Sequence, residues 1–190
     1  MLMYRLAVML CLALTFNAAL AEDYVMPQQI SEFGHLYKLA YQKISPDRRQ
    51  AIYEYTTGSE SIENWTRLLT VQYAKLNTDA MAWGVSTKKA LEATSPKPHF
   101  QVYAKAGHGY AVIIFEPDAK NPAYEANAHK SFHMGSCGLF TLQHAVKYDA
   151  SAEQSEDGRQ RTLIAIVDAS RKMVADVEQA AWQPDCDTNQ

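Results

Sequence analysis

The sequence predicts an α+β domain: a mostly antiparallel sheet with helices packed on one face and one disulfide. Three observations carry this. Two strand-like runs, Phe100–Ala106 and Tyr110–Glu116, flank Gly107-His108-Gly109 and read as a β-hairpin. The segments Asp79–Thr94 and Asp168–Trp182 repeat their apolar residues at helical spacing. Two cysteines, Cys137 and Cys186, stand in the part of the chain that follows an export leader.

The leader comes first in the chain. Arg5 precedes an apolar run from Leu6 to Phe16, and small residues follow up to Ala19-Leu20-Ala21. A basic start, an apolar stretch of roughly 7–15 residues and an A-x-A site are the parts of a secretory signal peptide. The run is shorter than the about 20 residues of a membrane span, and no later stretch approaches that length. Cleavage is expected after Ala21. The domain organisation is then residues 1–21 as signal peptide and 22–190 as one α+β domain. The expected location is the periplasm or the exterior of the cell, with no transmembrane segment after cleavage.

Gln28–Ile44 fits either a helix or an extended strand, and Ser45-Pro46-Asp47 ends it. Gln50–Thr57 is rich in β-formers and predicts a strand. A turn at Thr57-Gly58-Ser59 leads to an extended run from Trp65 to Tyr73, in which Trp65, Arg67, Leu69, Val71 and Tyr73 share a face. Thr78 reads as an N-cap for the Asp79–Thr94 helix, stopped by Ser95-Pro96-Lys97-Pro98. Ala111–Phe115 is apolar on both faces, as in an interior strand. Pro117–Ala128 reads as a loop. Gly138–Tyr148 alternates, with Phe140, Leu142, His144, Val146 and Tyr148 on one side. After a loop at Asp149–Gly158, the β-branched cluster favours a strand over Thr162–Val167, with Asp168 capping the last helix. A single helix from Gln160 onward also fits the 3.6 period.

The formal net charge is −3, and −4 once Arg5 is removed with the leader. This mild acidity argues against nucleic acid or an anionic membrane as the partner. In an oxidising compartment Cys137 and Cys186 are expected to pair, tying the C-terminal tail to the body of the domain.

No cofactor-binding, phosphate-binding or metalloprotease motif occurs, so no cofactor and no catalytic residue is assigned. The function expected is a small exported binding or accessory protein. Its partner would be another envelope or extracellular protein, or a ligand. The candidate surface is aromatic: Tyr53, Tyr55, Trp65 and Tyr103, with His108 at the hairpin tip. Two alternatives stand beside it. One is a small hydrolase using Cys137 as nucleophile, or a histidine. The other is a metal-handling protein through His129 and His133, which fits a helix but not a strand, where the two lie about 13 Å apart. His144, on an apolar face, reads as a hydrogen-bonded core histidine.

Overall fold

The computed structural model describes residues 24–119, 121–150 and 155–186. The signal peptide lies outside the described residues. Eight strands form one antiparallel sheet: β2 (Gln29–Glu32), β3 (His35–Ile44), β4 (Gln50–Thr57), β5 (Arg67–Ala74), β6 (His99–Lys105), β7 (His108–Phe115), β8 (Ala123–Met134) and β9 (Gly138–Asp149). Their spatial order is β2-β3-β4-β5-β9-β8-β7-β6. A separate pair joins β1 (Tyr24–Val25) to β10 (Asp185–Cys186). Helix α1 (Ala80–Glu92) links the two halves of the sheet, and α2 (Glu156–Gln179) follows β9.

The helices do not share a face of the sheet. Trp83 and Leu91 of α1 pack with Ala111 and Ile113. Ile166, Met173 and Val177 of α2 pack with Tyr110 and Ile114. Successive residues of a strand point to opposite sides, so α1 and α2 sandwich β7 between them. This corrects the one-face expectation. Its cause is the apolar run of β7, which offers both faces for burial.

Residues 28–44 resolve as two strands joined by the tight Phe33-Gly34 turn, with Glu32 paired to His35. Both turn residues have positive φ, 54° and 74°. A two-residue hairpin turn of this kind favours Asn-Gly, and a phenylalanine at its first position is unusual. The turn delivers the Phe33 ring onto the sheet. The strand register also slips between Leu39 and Tyr41, a bulge that bends β3.

The C-terminal half departs from expectation in three places. The expected loop 117–128 is cut short, because β8 starts at Ala123. His108 opens β7 opposite Lys105, and the turn itself is Ala106-Gly107. Thr162–Val167 is helical, and Asp168 lies inside α2 rather than at its start. Ser155 caps that helix, its side chain accepting from the Gly158 N–H, with Glu156 and Asp157 in the first turn. A capped, acid-led helix of 24 residues outweighs the few tenths of a kcal/mol by which each β-branched residue resists it. The N-cap of α1 is likewise Asp79, which accepts from the Ala82 N–H at 2.7 Å, not Thr78.

The concave side of the sheet holds the main core. Tyr37, Tyr53, Tyr55, Leu69, Val71, Tyr73, Phe140 and Leu142 form one half, and Ala126 and Ala128 let α2 approach closely in the other. Lys130 donates to the carbonyls of Ala180 (2.8 Å) and Glu178 (3.4 Å), closing the C-terminal end of α2. Cys137 and Cys186 are joined as a disulfide, with their Cα atoms 6.2 Å apart. The bond fixes β10, and through it β1, over the aromatic core. There the Tyr24 ring meets Tyr73 at 4.2 Å and Phe140 at 5.5 Å.

Gly138 marks a close backbone approach in the sheet. Its φ is +125°, and a Cβ there would meet the Ala74 carbonyl oxygen at 2.6 Å. Gly138→Ala is expected to lower stability by about 2 kcal/mol or more, from backbone strain and the clash together. Urea denaturation checks this, and an unchanged midpoint would refute the close approach.

Candidate functional site

The aromatic residues expected at the surface are mostly core. Tyr53 is 5% exposed, Tyr55 0% and Trp65 4%. The Tyr55 hydroxyl donates to the Pro27 carbonyl, and the Trp65 ring packs on Leu68 and Ala145 with the Lys147 ammonium 4.0 Å from its centroid. Tyr103 is half-buried, stacked on Tyr110, and donates to Glu178 at 2.9 Å. His108 is half-buried beside Phe132 and Tyr110. These five residues therefore form no continuous docking surface. Large aromatics supply more stabilising area inside than out, and alternation along β4 points Tyr53 and Tyr55 inward.

The stretch after β4 also proves structural. The Glu60 carboxylate accepts from the Thr57 hydroxyl, the Thr66 hydroxyl and the Thr66 N–H, and folds the loop back onto β5. Burial opposes the charge of Glu60, but these bonds prevail and hold its carboxyl below the usual range.

Cys137 carries no free thiol, since it is bonded to Cys186. His129 and His133 lie on β8, opposite Gln143 and Leu139, in the strand geometry that separates them too far to share an ion. Among the described residues no three His, Cys, Asp or Glu side chains gather around a possible ion position. On the His129 side of the sheet, polar groups satisfy one another: Gln143 donates to Asn127 at 2.7 Å, and Thr141 to Ser131 at 3.3 Å. His99 bonds Glu116 at 2.8 Å, but Arg159 holds the same carboxylate at 2.9 Å. That trio is an exposed tie between the sheet and the start of α2.

The concave side is different. His144 lies in the middle of β9, flanked by Leu69 across β5, Ala128 across β8, and Leu142 and Val146 along its own strand. It is 3% exposed, and neither ring nitrogen has a hydrogen-bond partner among the described residues. The Phe33 ring stacks on it, with centroids 4.4 Å apart and planes 11° from parallel. Tyr37 meets it edge-on at 6.4 Å. Tyr37 is 0% exposed, and its hydroxyl is also unpartnered. Strands β3 and β9 are three strand spacings apart, about 14 Å on a flat sheet. The sheet's bend brings these two rings together. A shallow, open depression lined by Ser31, Glu32, Phe33, Gly34, His35 and Leu36 lies at the turn, and neither Tyr37 nor His144 lines it.

Arg67 starts β5 on the same side, opposite Val146. Its charge is felt at three of these groups: it lowers the pKa values of Tyr37, His144 and Tyr148. Burial dominates at each. It pushes Tyr37 up to about 12 and His144 down to about 4, so both are neutral at pH 7. Asp176 faces the cluster from α2 but is paired with Lys172 at 3.0 Å, and His35 lies at the rim. Among the described residues no carboxylate forms an ion pair with Arg67.

Three buried polar atoms without partners, in one place, are uncommon, because each such atom costs about 1–3 kcal/mol. The neutral His144 offers one N–H donor and one acceptor, and Tyr37 offers a hydroxyl. Alternation along β9 places His144 on the apolar face, as expected, but does not reveal that it lacks a partner. The one sequence signal was Arg67 within an otherwise apolar face.

Among the described residues, no helix is long and apolar enough to cross a membrane. A protein-family model matches residues 24–182, from β1 past the end of α2. No curated protein and no solved structure shows a significant match. The chain belongs to the family described by that model, a family of uncharacterised function.

Proposed function

We propose that the protein is exported by its N-terminal leader, cleaved near Ala21, and works in the periplasm or outside the cell as a small-ligand-binding module. The ligand sits on the concave side of the sheet, against His144 and Tyr37, and enters by displacing the Phe33 ring. One observation carries this reading: His144 and Tyr37 together hold three buried polar atoms with no partner among the described residues. The disulfide and the absence of a membrane-crossing helix among the described residues are compatible with such a location. A binder is favoured over a hydrolase because Cys137 is sealed in the disulfide and, among the described residues, no serine or cysteine is bonded to His144.

Native mass spectrometry of the protein purified from its own host, from the envelope fraction or the medium, tests this. The expected result is a mature chain beginning after Ala21 with a non-covalent small molecule attached. His144→Leu and Tyr37→Phe should each reduce the bound fraction by about tenfold, the worth of one lost buried hydrogen bond. A wild-type spectrum with only the bare chain mass, together with no thermal shift across a small-molecule panel, would overturn the reading.

A further inference from the structure

We infer that the end of the ligand held at this site is a carboxylate, with Arg67 as its counter-charge, and that an apolar tail follows it. This rests on the reading of the His144 region as a ligand site and names the class of ligand.

Three features point the same way. First, the cluster carries a cation with no ion-pair contact among the described residues, although the Glu60 carboxylate lies nearby and its charge also reaches Tyr37. Arg67 is half-buried and, among the described residues, has no acidic partner, whereas Asp176 is already held by Lys172. The nearby Glu60 carboxylate is spent on Thr57 and Thr66. A half-buried guanidinium presents a planar fork of donors that matches the two oxygens of a carboxylate. Second, the buried neighbours are equipped to donate. The Tyr37 hydroxyl and one ring N–H of neutral His144 are free, and both are shielded from water. Such donors strengthen around an anion in a water-poor place. Third, the remaining surroundings are apolar: Phe33, Leu69, Leu142, Val146 and Ala128. One cation neutralises one negative charge, so a monocarboxylate fits better than a doubly charged phosphate, and the apolar walls suit a hydrocarbon tail.

Phe33 has a role in this arrangement. Its backbone is held at φ 54°, a conformation that is strained for a bulky residue. The strain places a flat apolar ring on His144, where the first part of an apolar tail would otherwise lie. The ring covers the site when no ligand is bound.

Titration calorimetry with the mature, disulfide-bonded protein tests the inference, using dodecanoate and 1-dodecanol as probes. Wild type should bind dodecanoate at least tenfold more tightly than the alcohol. Arg67→Met should abolish that preference and leave the alcohol's affinity within twofold, while Arg67→Lys restores part of it. Phe33→Ala should bind both probes more tightly, since the covering ring is gone. Circular dichroism confirms that each variant is folded. Equal affinity for the two probes in wild type, or a preference that survives Arg67→Met, would refute the carboxylate assignment and leave the ligand site standing. Failure of wild type to bind either probe would refute the carboxylate-and-tail assignment, while the ligand site itself is decided by the native mass spectrum and the small-molecule panel.

Discussion

Breaking the Cys137–Cys186 bond is expected to lower the unfolding free energy by about 4 kcal/mol. The bond closes a sequence separation of 49 residues. In the chain-entropy account, a loop of that length restricts the unfolded ensemble by that order. The loss is large beside the 5–15 kcal/mol that holds a typical domain together. Its structural consequence is specific. Cys186 pairs with Tyr24 between β10 and β1, and the Tyr24 ring covers Tyr53, Tyr73 and Phe140. Freeing the tail therefore uncovers one end of the aromatic core while the eight-stranded sheet persists. Urea denaturation of the oxidised protein, the reduced protein and Cys137→Ala/Cys186→Ala measures the loss. The reduced wild type separates the effect of the cross-link from the small cavity that alanine leaves at buried Cys137. If reduced and oxidised proteins unfold at the same urea concentration, the tail is not held by this bond.

The second large effect is a dependence on acidity centred on His144. Burial, aided by the positive charge of Arg67 and opposed by Asp176, pushes its pKa down to about 4. An unfolded histidine titrates near 6.5. Between these values the unfolded chain takes up a proton that the folded chain refuses. The stabilisation is complete above about pH 6.5 and is lost as the pH falls towards 4, by about 3 kcal/mol in all. The carboxylates held low by hydrogen bonds and cations, such as Glu116 and Glu178, lose their own contribution as the pH falls through and below the ordinary carboxylate range. They are common to wild type and to His144→Leu, so they cancel in the comparison. Urea midpoints at pH 7.5 and 4.5 should show wild type losing about 2–3 kcal/mol more than His144→Leu. Equal losses in the two proteins would mean that His144 is hydrated in the folded state.

Much of the secondary structure was legible because it depends on short-range spacing. The alternation from Gly138 to Tyr148 becomes β9, the run Gln50–Thr57 becomes β4, and the helix expected from Asp79 becomes α1, although Met81 and Val85 of its expected apolar stripe are exposed. The pairing of Cys137 with Cys186 followed from counting cysteines behind the expected leader. The failures have a common origin in distant partners. Thr162–Val167 has β-branched residues that suggest a strand, but the cap at Ser155 and the face formed by Ile166, Ser170, Met173 and Val177 make it part of a long helix. Nothing local to Phe33-Gly34 announces a hairpin, because the turn is not one of the usual residue pairs.

The candidate site was less legible still. Tyr53, Tyr55 and Trp65 drew attention by residue type, and the fold uses them as core. His144 was placed correctly on an apolar face, but its lack of a hydrogen-bond partner depends on what the opposing layers bring to it. Those layers come from β3, the β2–β3 turn and α2, far away along the chain.

The amino-acid order alone was enough for the α+β class, most strand and helix positions and the sulfur pairing, since periodicity and composition act over a few residues. Tertiary structure decided that the helices take opposite sides of the sheet. It also decided that a bend and a turn bring Phe33, Tyr37, Arg67 and His144 together around unpaired polar atoms. Those outcomes depend on register and curvature summed over eight strands, and no single stretch of sequence contains that sum.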